Sequence, residues 1–315
     1  MRVFDFDQAI VRRPGRSVVN GIRKGSDAPT YEGVVAEHDA YVDALREAGL
    51  TVDVLPPLEA FADSVFVEDP ALVFGEGAIL LRPGVASRLG EAEEMRPVLA
   101  RHFDRVLELE GEQHADGGDV LVTQDEVFIG LSKRTNREGA QALAEKLGEL
   151  GRKARIAQTP RDILHFKTAS SILDEQTVMV TQAMAGSGIF AGLKVLVVPE
   201  GEEGAANFLR LNDTVLVGAL FPRTVEMLRN SGFNASPNAA ALPAMTCISG
   251  PPCKPGNRAE LIFFPSSRSF VSTMPPRGPR SVLWVVVVTT CACGSGLGNR
   301  SAATKPAKCA MSTMK

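Results

Sequence analysis

Acidic side chains, a histidine and a lysine stand directly before short apolar runs at three places in this sequence. They are Asp63, Glu68 and Asp69 before the first run, Asp116 and Asp119 before the second, and His165 and Lys167 before the third. Clustered carboxylates are costly to bury unless a cation offsets their charge. A guanidinium group is such a cation, because it is planar and its five N–H donors match carboxylate geometry. If the three places converge in space, these residues predict a pocket for a guanidinium.

Each of these features also has a simpler explanation. Asp63 and Asp119 are typical turn residues, and Glu68 fits a solvated strand end. The pair Gly117–Gly118 more often marks a bulge or a tight turn than a phosphate-binding loop. The sequence contains no GxGxxG or Walker motif, which disfavours nucleotide binding.

A further group of charges follows the second apolar pair. The segment LSKRTNREGA (131–140) places Lys133, Arg134 and Arg137 where a strand ends and a helix begins. This segment is either a positively charged loop or an arginine clamp for a substrate carboxylate, which a guanidinium binds through parallel hydrogen bonds. Arg88, just before a predicted helix, is a second candidate for that clamp.

A repeated pattern determines where these residues must lie. A short apolar run, a polar turn and a second apolar run recur four times, which is typical of two-stranded hairpins. The four segments are ALVFGEGAILL (71–81), DVLVTQDEVFIG (119–130), SSILDEQTVMV (170–180) and FLRLNDTVLVG (208–218). The first 14 residues predict one more such unit. Repeats of this size, about 40 to 50 residues, indicate supersecondary units arranged in a closed array or a solenoid.

Helical patterns separate the hairpins, and a further strand follows each helix. Apolar spacing and stop signals predict helices at 30–48, 91–103, 137–150 and 221–229, and strands at 52–55, 105–109, 154–157 and 194–198. The repeating unit is therefore ββαβ, which makes the fold α/β. Five units would close a ring in which the starts of the hairpins face a common centre.

Composition divides the chain into two parts. The 315 residues carry a net charge of −3, which argues against a nucleic-acid-binding surface. Residues 1–233 carry −11, whereas residues 234–315 carry +8 and hold all five cysteines and ten of the twenty prolines. A shifted reading frame near residue 234 or a genuine low-complexity extension would explain this break. The lack of helical or strand periodicity in the second part favours the shifted frame.

Features of membrane, metal or secreted proteins are weak. The apolar run 282–288 is far shorter than the roughly 20 residues that span a bilayer, and it predicts a buried or aggregation-prone strand. Cys291 and Cys293 have no second pair at zinc-site spacing. The first residues show no signal-peptide pattern and the body has no cysteine, so a cytoplasmic protein is expected.

Three segments together resemble one enzyme family. VFVEDPALVF (65–74), DGGDVLVTQDEVFIGLSKRTNREGA (116–140) and ILHFKTASSIL (163–173) are similar to the dimethylarginine dimethylaminohydrolases, members of the pentein (amidinotransferase) superfamily. The resemblance covers about residues 3–233. It implies a five-bladed α/β propeller, in agreement with the repeats. It also implies a methylated arginine as the small-molecule substrate, with no metal or organic cofactor and no nucleic-acid or membrane partner.

The resemblance also implies roles for individual residues. A cysteine thiolate attacks the guanidinium carbon, His165 serves as general acid and then general base, and Asp116 orients the histidine and holds the guanidinium. The substrate-binding residues implied by the family pattern are the acids Asp63, Glu68 and Asp69, the arginines Arg88 and Arg134 for the substrate carboxylate, and Val18 near an apolar lid contact. Without the resemblance, His165 would be an ordinary core histidine, and His114 would be its rival.

The nucleophile is where this sequence departs from the family. The family cysteine lies near the C-terminus in a glycine-rich run ending in (Leu/Met)-Thr-Cys-x-Ser. Here AMTCISG (244–250) supplies Cys247 without the acidic segment and the glycines, and 65 residues follow Gly250. Cys247 is therefore either the nucleophile or a coincidence within shifted-frame sequence. Cys253 is a poorer candidate because prolines flank it.

These observations define the expected domains and functions. Residues 1–249 form one propeller whose last blade, 234–249, is doubtful, and residues 250–315 form a basic, Cys- and Pro-rich tail expected to be disordered. The leading hypothesis is hydrolysis of methylated arginine to citrulline. The alternatives are an arginine deiminase-like hydrolase and a guanidinium-binding pseudoenzyme without a competent nucleophile. The deiminases usually carry a helical insertion for which the spacings leave no room.

Overall fold

The computed structural model describes residues 2–22 and 29–238 and the backbone of a short strand at 282–284. Cys247, most of the doubtful last blade and the rest of the predicted tail lie outside the described residues. The strands are β1 (Gln8–Arg12), β2 (Thr51–Leu55), β3 (Ala71–Phe74), β4 (Gly77–Leu80), β5 (Val106–Glu108), β6 (Val120–Val122), β7 (Val127–Leu131), β8 (Ala154–Gln158), β9 (Ser170–Ile172), β10 (Thr177–Val180), β11 (Lys194–Val197), β12 (Leu209–Leu211), β13 (Thr214–Gly218), β14 (Asn234–Asn238) and β15 (Val282–Trp284). The α-helices are α1 (Tyr31–Glu47), α2 (Glu91–His102), α3 (Arg137–Glu149), α4 (Gln182–Ala185) and α5 (Pro222–Asn230).

The described strands form five three-stranded sheets, as the repeats predict. In four of them the first strand is antiparallel to the second, and the second is parallel to the third, which follows the helix. The first strands, β3, β6, β9 and β12, all contribute to the wall of one cavity. They are therefore the inner strands of blades around a common axis, and the ββαβ propeller prediction is confirmed.

Helix α3 illustrates how the sequence builds a blade. Asn136 caps its N-terminus by accepting a hydrogen bond from the backbone N–H of Gly139 at 2.7 Å. Ala140, Leu143 and Leu147 are buried at helical spacing and pack in a core with strand residues of two adjacent blades. The helix therefore covers the sheet of its own blade on the side away from the central axis.

Apolar clusters between the blades close the ring. One cluster joins Ala9 and Val11 of β1 to Leu211 and Leu216 of the β12–β13 hairpin. Another joins Ile10 of the same strand to the β3–β4 blade. Because β1 packs against both the first and the last hairpin blade, the sheet that contains the N-terminal strand is the fifth blade.

This fifth blade differs from the prediction. Residues 1–14 were expected to form a hairpin, but they supply one strand, because residues 2–5 form a turn in which Asp5 accepts hydrogen bonds from the backbone and the guanidinium of Arg2. The inner position beside β1 is filled instead by β15 from the other end of the chain. This strand runs parallel to β1, whereas the other inner strands run antiparallel to their neighbours.

Shortening the chain tests the place of β15. Strand β1 lies between β15 and β2, so about half of its amides point toward β15. Pairing with β15 protects those amides from hydrogen exchange. We expect those β1 amides to exchange at least about tenfold faster in a chain ending at residue 281 than in one ending at residue 290. Amides of β7, in another blade, are the internal control. Equal β1 protection in both chains would contradict the pairing.

Candidate active site

The predicted acids and the histidine do converge, at one end of the inner strands. Residues 117–119 and 166–168 form 3-10 turns that lead into β6 and β9. A Cβ atom on Gly117 would overlap the carbonyl oxygen of Glu68, and one on Gly118 would lie 3.0 Å from Cγ of His165. The glycine pair is therefore required because Glu68 and His165 approach this turn from two sides.

Arg88 is the buried cation of this cluster. Its guanidinium pairs with Asp69, donates to Glu91 at 2.6 and 3.0 Å, and donates to the backbone carbonyls of Asp63 and Phe66 at 3.2 Å. Burial opposes its charge, but the surrounding carboxylates raise the pKa of Arg88 well above its ordinary value. The family pattern assigns Arg88 to the substrate carboxylate, whereas here its donors are occupied by the protein.

Asp69 and Asp116 form a carboxyl–carboxylate pair beside Arg88. Both are buried, and they lie close enough that each acts on the pKa of the other. Burial opposes the charge of Asp69, but Arg88 lowers its pKa. Burial and the negative charge of Asp69 raise the pKa of Asp116. The two acids thus have pKa values that are shifted in opposite directions, and a further cation beside them would favour ionisation of Asp116.

His165 is the titratable group facing these acids. It is 4% exposed, and its Nδ1 lies 3.5 Å from Oδ2 of Asp119. Burial opposes a charged imidazole, but the carboxylates of Asp116, Asp119 and Asp69 outweigh it and raise the pKa of His165 to about 9. At neutral pH the ring is therefore protonated and suited to donate a proton to a departing amine.

Asp119 is the site residue whose importance the sequence did not reveal. From the sequence alone it was interpreted as a turn residue. In the structure it is completely buried, and its carboxylate accepts hydrogen bonds from Ser132 Oγ, Thr135 Oγ1 and the backbone N–H of Phe166. The one available signal was that Asp119 shares a turn with Asp116. Its partners lie 13 to 47 residues away, so no local pattern shows them.

Asp63 and Arg134, two of the predicted substrate-binding residues, lie close enough to interact electrostatically. Burial raises the pKa of Asp63, and the charges of Arg88 and Arg134 oppose that rise. Its carboxylate accepts a hydrogen bond from the backbone N–H of Ile22 at 3.0 Å, which ties down the preceding loop. Arg134 follows the end of β7, as predicted, and its backbone N–H donates to Ser132 Oγ at 2.9 Å.

Two predicted residues have other surroundings than expected. Val18 lies in the loop held by Asp63, but its side chain is 1% exposed and packs in the core with Val65 and Phe66. An apolar contact of that side chain with a ligand would need the loop to move. His114 is fixed through its backbone, which hydrogen-bonds Asn136, the residue that caps α3.

Glu68 is 3% exposed, so it is not a solvated strand end. It forms an ion pair with Lys167, and burial lowers the pKa of this lysine to about 7. Lys167 also reaches a cavity of about 800 Å³ that is lined by the inner strands and opens at their hairpin ends. Asp69, Asp116 and His165 do not line that cavity, so the pair lies between it and the acid cluster.

Between residues 2–22 and 29–238, no three His, Cys, Asp or Glu side chains are grouped as ligands of a metal ion. No helix in the same part of the chain is both long and apolar enough to cross a bilayer.

The chain is similar in sequence to one protein family model and to two enzymes of the same name. The arginine deiminase family model matches residues 54–203. The N(G),N(G)-dimethylarginine dimethylaminohydrolase of Pseudomonas aeruginosa is 34% identical over 233 residues, which cover 72% of this chain and 90% of that enzyme. The enzyme of the same name from Streptomyces coelicolor is 34% identical over 229 residues, 71% of this chain and 87% of the relative.

Solved structures agree with the fold. A cysteine-to-serine mutant of the P. aeruginosa enzyme, complexed with citrulline, superposes with a TM-score of 0.72 at 31% identity, covering 75% of this chain and 93% of that one. The propeller and its buried acid–histidine cluster define a pentein protein. Within that class, the chain belongs to the dimethylarginine dimethylaminohydrolase family.

Removing Arg88 tests its role as internal counter-ion. Arg88→Met leaves Asp69 and Glu91 buried without a partner, so we expect a loss of about 3 to 5 kcal/mol in unfolding free energy at pH 7. The unpaired carboxylates then have raised pKa values, so their protonation should narrow the deficit as pH falls from 7 to 5. Urea denaturation at both pH values measures this.

Arg96 is the matched control, because it pairs with Glu93 and Glu108 but is 43% exposed. Arg96→Met should cost less than about 1 kcal/mol. Equal losses for Arg88→Met and Arg96→Met would contradict the buried counter-ion role.

Proposed function

We propose that this protein hydrolyses Nω-methylated arginine to citrulline and methylamine or dimethylamine. The observation that supports it is the cluster of Asp69, Asp116 and His165, in which two buried carboxyl groups face a histidine protonated at neutral pH. A guanidinium supplies the positive charge that lets both carboxyl groups ionise, and it places its carbon beside the proton donor.

The reaction proceeds in two halves. A cysteine thiolate forms a C–S bond to the guanidinium carbon, the bond from that carbon to the methylated nitrogen breaks, and the amine leaves with the proton of His165. Water then adds to the S-alkylthiouronium carbon and gives a proton to His165. The C–S bond breaks, which returns the electron pair to the thiolate, and the remaining hydroxyl proton of the intermediate passes to solvent, which leaves the neutral urea group of citrulline.

The remaining predicted residues bind the amino-acid end of the substrate. Arg134 follows β7 at the site end of its blade and serves as the clamp for the α-carboxylate. Asp63 is electrostatically coupled to Arg134 and offers a carboxylate for the α-ammonium group. Glu68 pairs with Lys167 beside the acid cluster and holds the turn that precedes β9 against the turn that precedes β3.

Citrulline release by the full chain tests the proposal. With dimethylarginine as substrate, His165→Ala should lower kcat at least about 100-fold, because it removes the general acid. His114→Ala is the matched control and should retain turnover, since His114 contacts its surroundings through its backbone. Equal activities of the two variants would contradict the assignment. Arginine is assayed in parallel, and faster release of ammonia from arginine would indicate a deiminase instead.

A second candidate is a guanidinium-binding protein without turnover, and the fifth blade favours it. In the other blades the site residues directly precede an inner strand that is antiparallel to its neighbour, as Asp69 precedes β3 and His165 precedes β9. The inner strand β15 runs parallel to β1, so its first residue points away from that end of the blade. A cysteine placed before β15 would therefore lie at the wrong end.

Covalent labelling distinguishes the two candidates. A reactive cysteine needs a depressed pKa, which requires a fixed position beside a cation. The full chain is treated with an amidine electrophile and digested for peptide mapping. For a competent site we expect one label per chain, at Cys247, blocked by excess methylarginine. Labels spread over Cys247, Cys253, Cys291, Cys293 and Cys309, together with calorimetric binding of methylarginine, would support the second candidate.

A further inference from the structure

The carboxylate of Asp119 connects three separate segments of the chain. Its Oδ1 accepts the backbone N–H of Phe166 at 2.9 Å, next to His165. Its Oδ2 accepts the hydroxyl groups of Ser132 at 2.6 Å and Thr135 at 2.7 Å, on either side of Arg134. A buried carboxylate with this many charge-assisted bonds is strongly oriented.

The same oxygen, Oδ2, is 3.5 Å from Nδ1 of His165. Within residues 2–22 and 29–238, this buried nitrogen has no hydrogen-bond partner that would compete with the Asp119 carboxylate for its proton. An Nδ1 proton directed at Asp119 leaves Nε2 as the nitrogen that can exchange a proton with a ligand. Asp119 therefore sets which side of the imidazole faces the reaction.

The hydroxyl groups of Ser132 and Thr135 connect the Asp119 carboxylate to two backbone amides. Ser132 Oγ accepts the backbone N–H of Arg134 at 2.9 Å, and Thr135 Oγ1 accepts the backbone N–H of Asp116 at 3.1 Å. Each hydroxyl donates its one proton to Asp119, so it can only accept from these amides. Loss of the carboxylate would let both hydroxyl groups turn and would release the two backbone segments.

We propose that Asp119 is a positioning residue that orients His165 directly and Arg134 through Ser132, so that one buried carboxylate aligns the proton donor with the arginine of the carboxylate clamp. This assignment rests on the proposed function for the roles of His165 and Arg134, but not for the geometry. It differs from a turn-forming role, which would need one local acceptor and no contact with the β9 blade.

Histidine NMR of the full chain tests the first half without any need for turnover. The carboxylates acting on the His165 ring are Asp116, Asp119 and Asp69. Asp119→Asn keeps the shape and removes one charge, so we expect the pKa of His165 to fall by at least about one unit. Asp162→Asn, an exposed change three residues from His165, should leave it unchanged. An unchanged His165 pKa in folded Asp119→Asn overturns the proposal.

Ligand binding tests the orientation of Arg134 through Ser132. It also keeps the proposal testable if Asp119→Asn does not fold. Ser132→Ala removes the link between Asp119 and the Arg134 backbone, so methylarginine should bind about tenfold more weakly. A simple alkylguanidine without a carboxylate should bind as before, and the pKa of His165 should stay in place. Equal weakening of both ligands, or of neither, overturns the link. If the unmodified chain binds no guanidine, the proposed function fails, and the NMR titration still decides the role of Asp119.

Discussion

The buried ion pair between Arg88 and Asp69 is the interaction on which the rest of this site depends. Asp69, Asp116, Asp119 and Glu91 are nearly inaccessible to water, and an excess of carboxylates in that setting would not remain ionised alone. Arg88 offsets part of the charge permanently, and its remaining donors bind backbone carbonyls of the segment that carries Asp63 and Asp69. The protein thus maintains a buried acid cluster whose negative charge Arg88 offsets only in part.

That cluster exists because the propeller brings remote turns to one end of its inner strands. Gly117 lets the backbone of Glu68 approach, and Gly118 leaves space for the imidazole of His165, so the turns that precede three inner strands pack closely together. The charges are then held by contacts between blades rather than within one blade. This explains why the histidine responds to acids from two neighbouring segments.

The sequence predicted the elements of this architecture better than the contacts between them. Helix α3 was expected at 137–150 and is found at Arg137–Glu149, because capping and apolar spacing are local signals. The occupation of Arg88 by Glu91 and Asp69 and the buried role of Asp119 depend on packing between blades, so periodicity could not reveal them. The hairpin expected at 1–14 was wrong for a related reason. A ring must close, and the inner strand of the fifth blade, which contains β1, comes from the opposite end of the chain.

Closure of the ring also determines whether the acid cluster can be used for catalysis. Four blades place the N-terminal ends of their inner strands at the site, which is why the chemical groups precede β3, β6 and β9. By this symmetry, the nucleophile of the proposed hydrolysis should lie in the fifth blade, just before an inner strand antiparallel to β1. The parallel β15 reverses that order, and Val282 begins 35 residues after Cys247. The binding half of the site depends on blades that are complete, whereas the nucleophile depends on the direction of a single strand. Ligand recognition and turnover can therefore be lost separately in this chain.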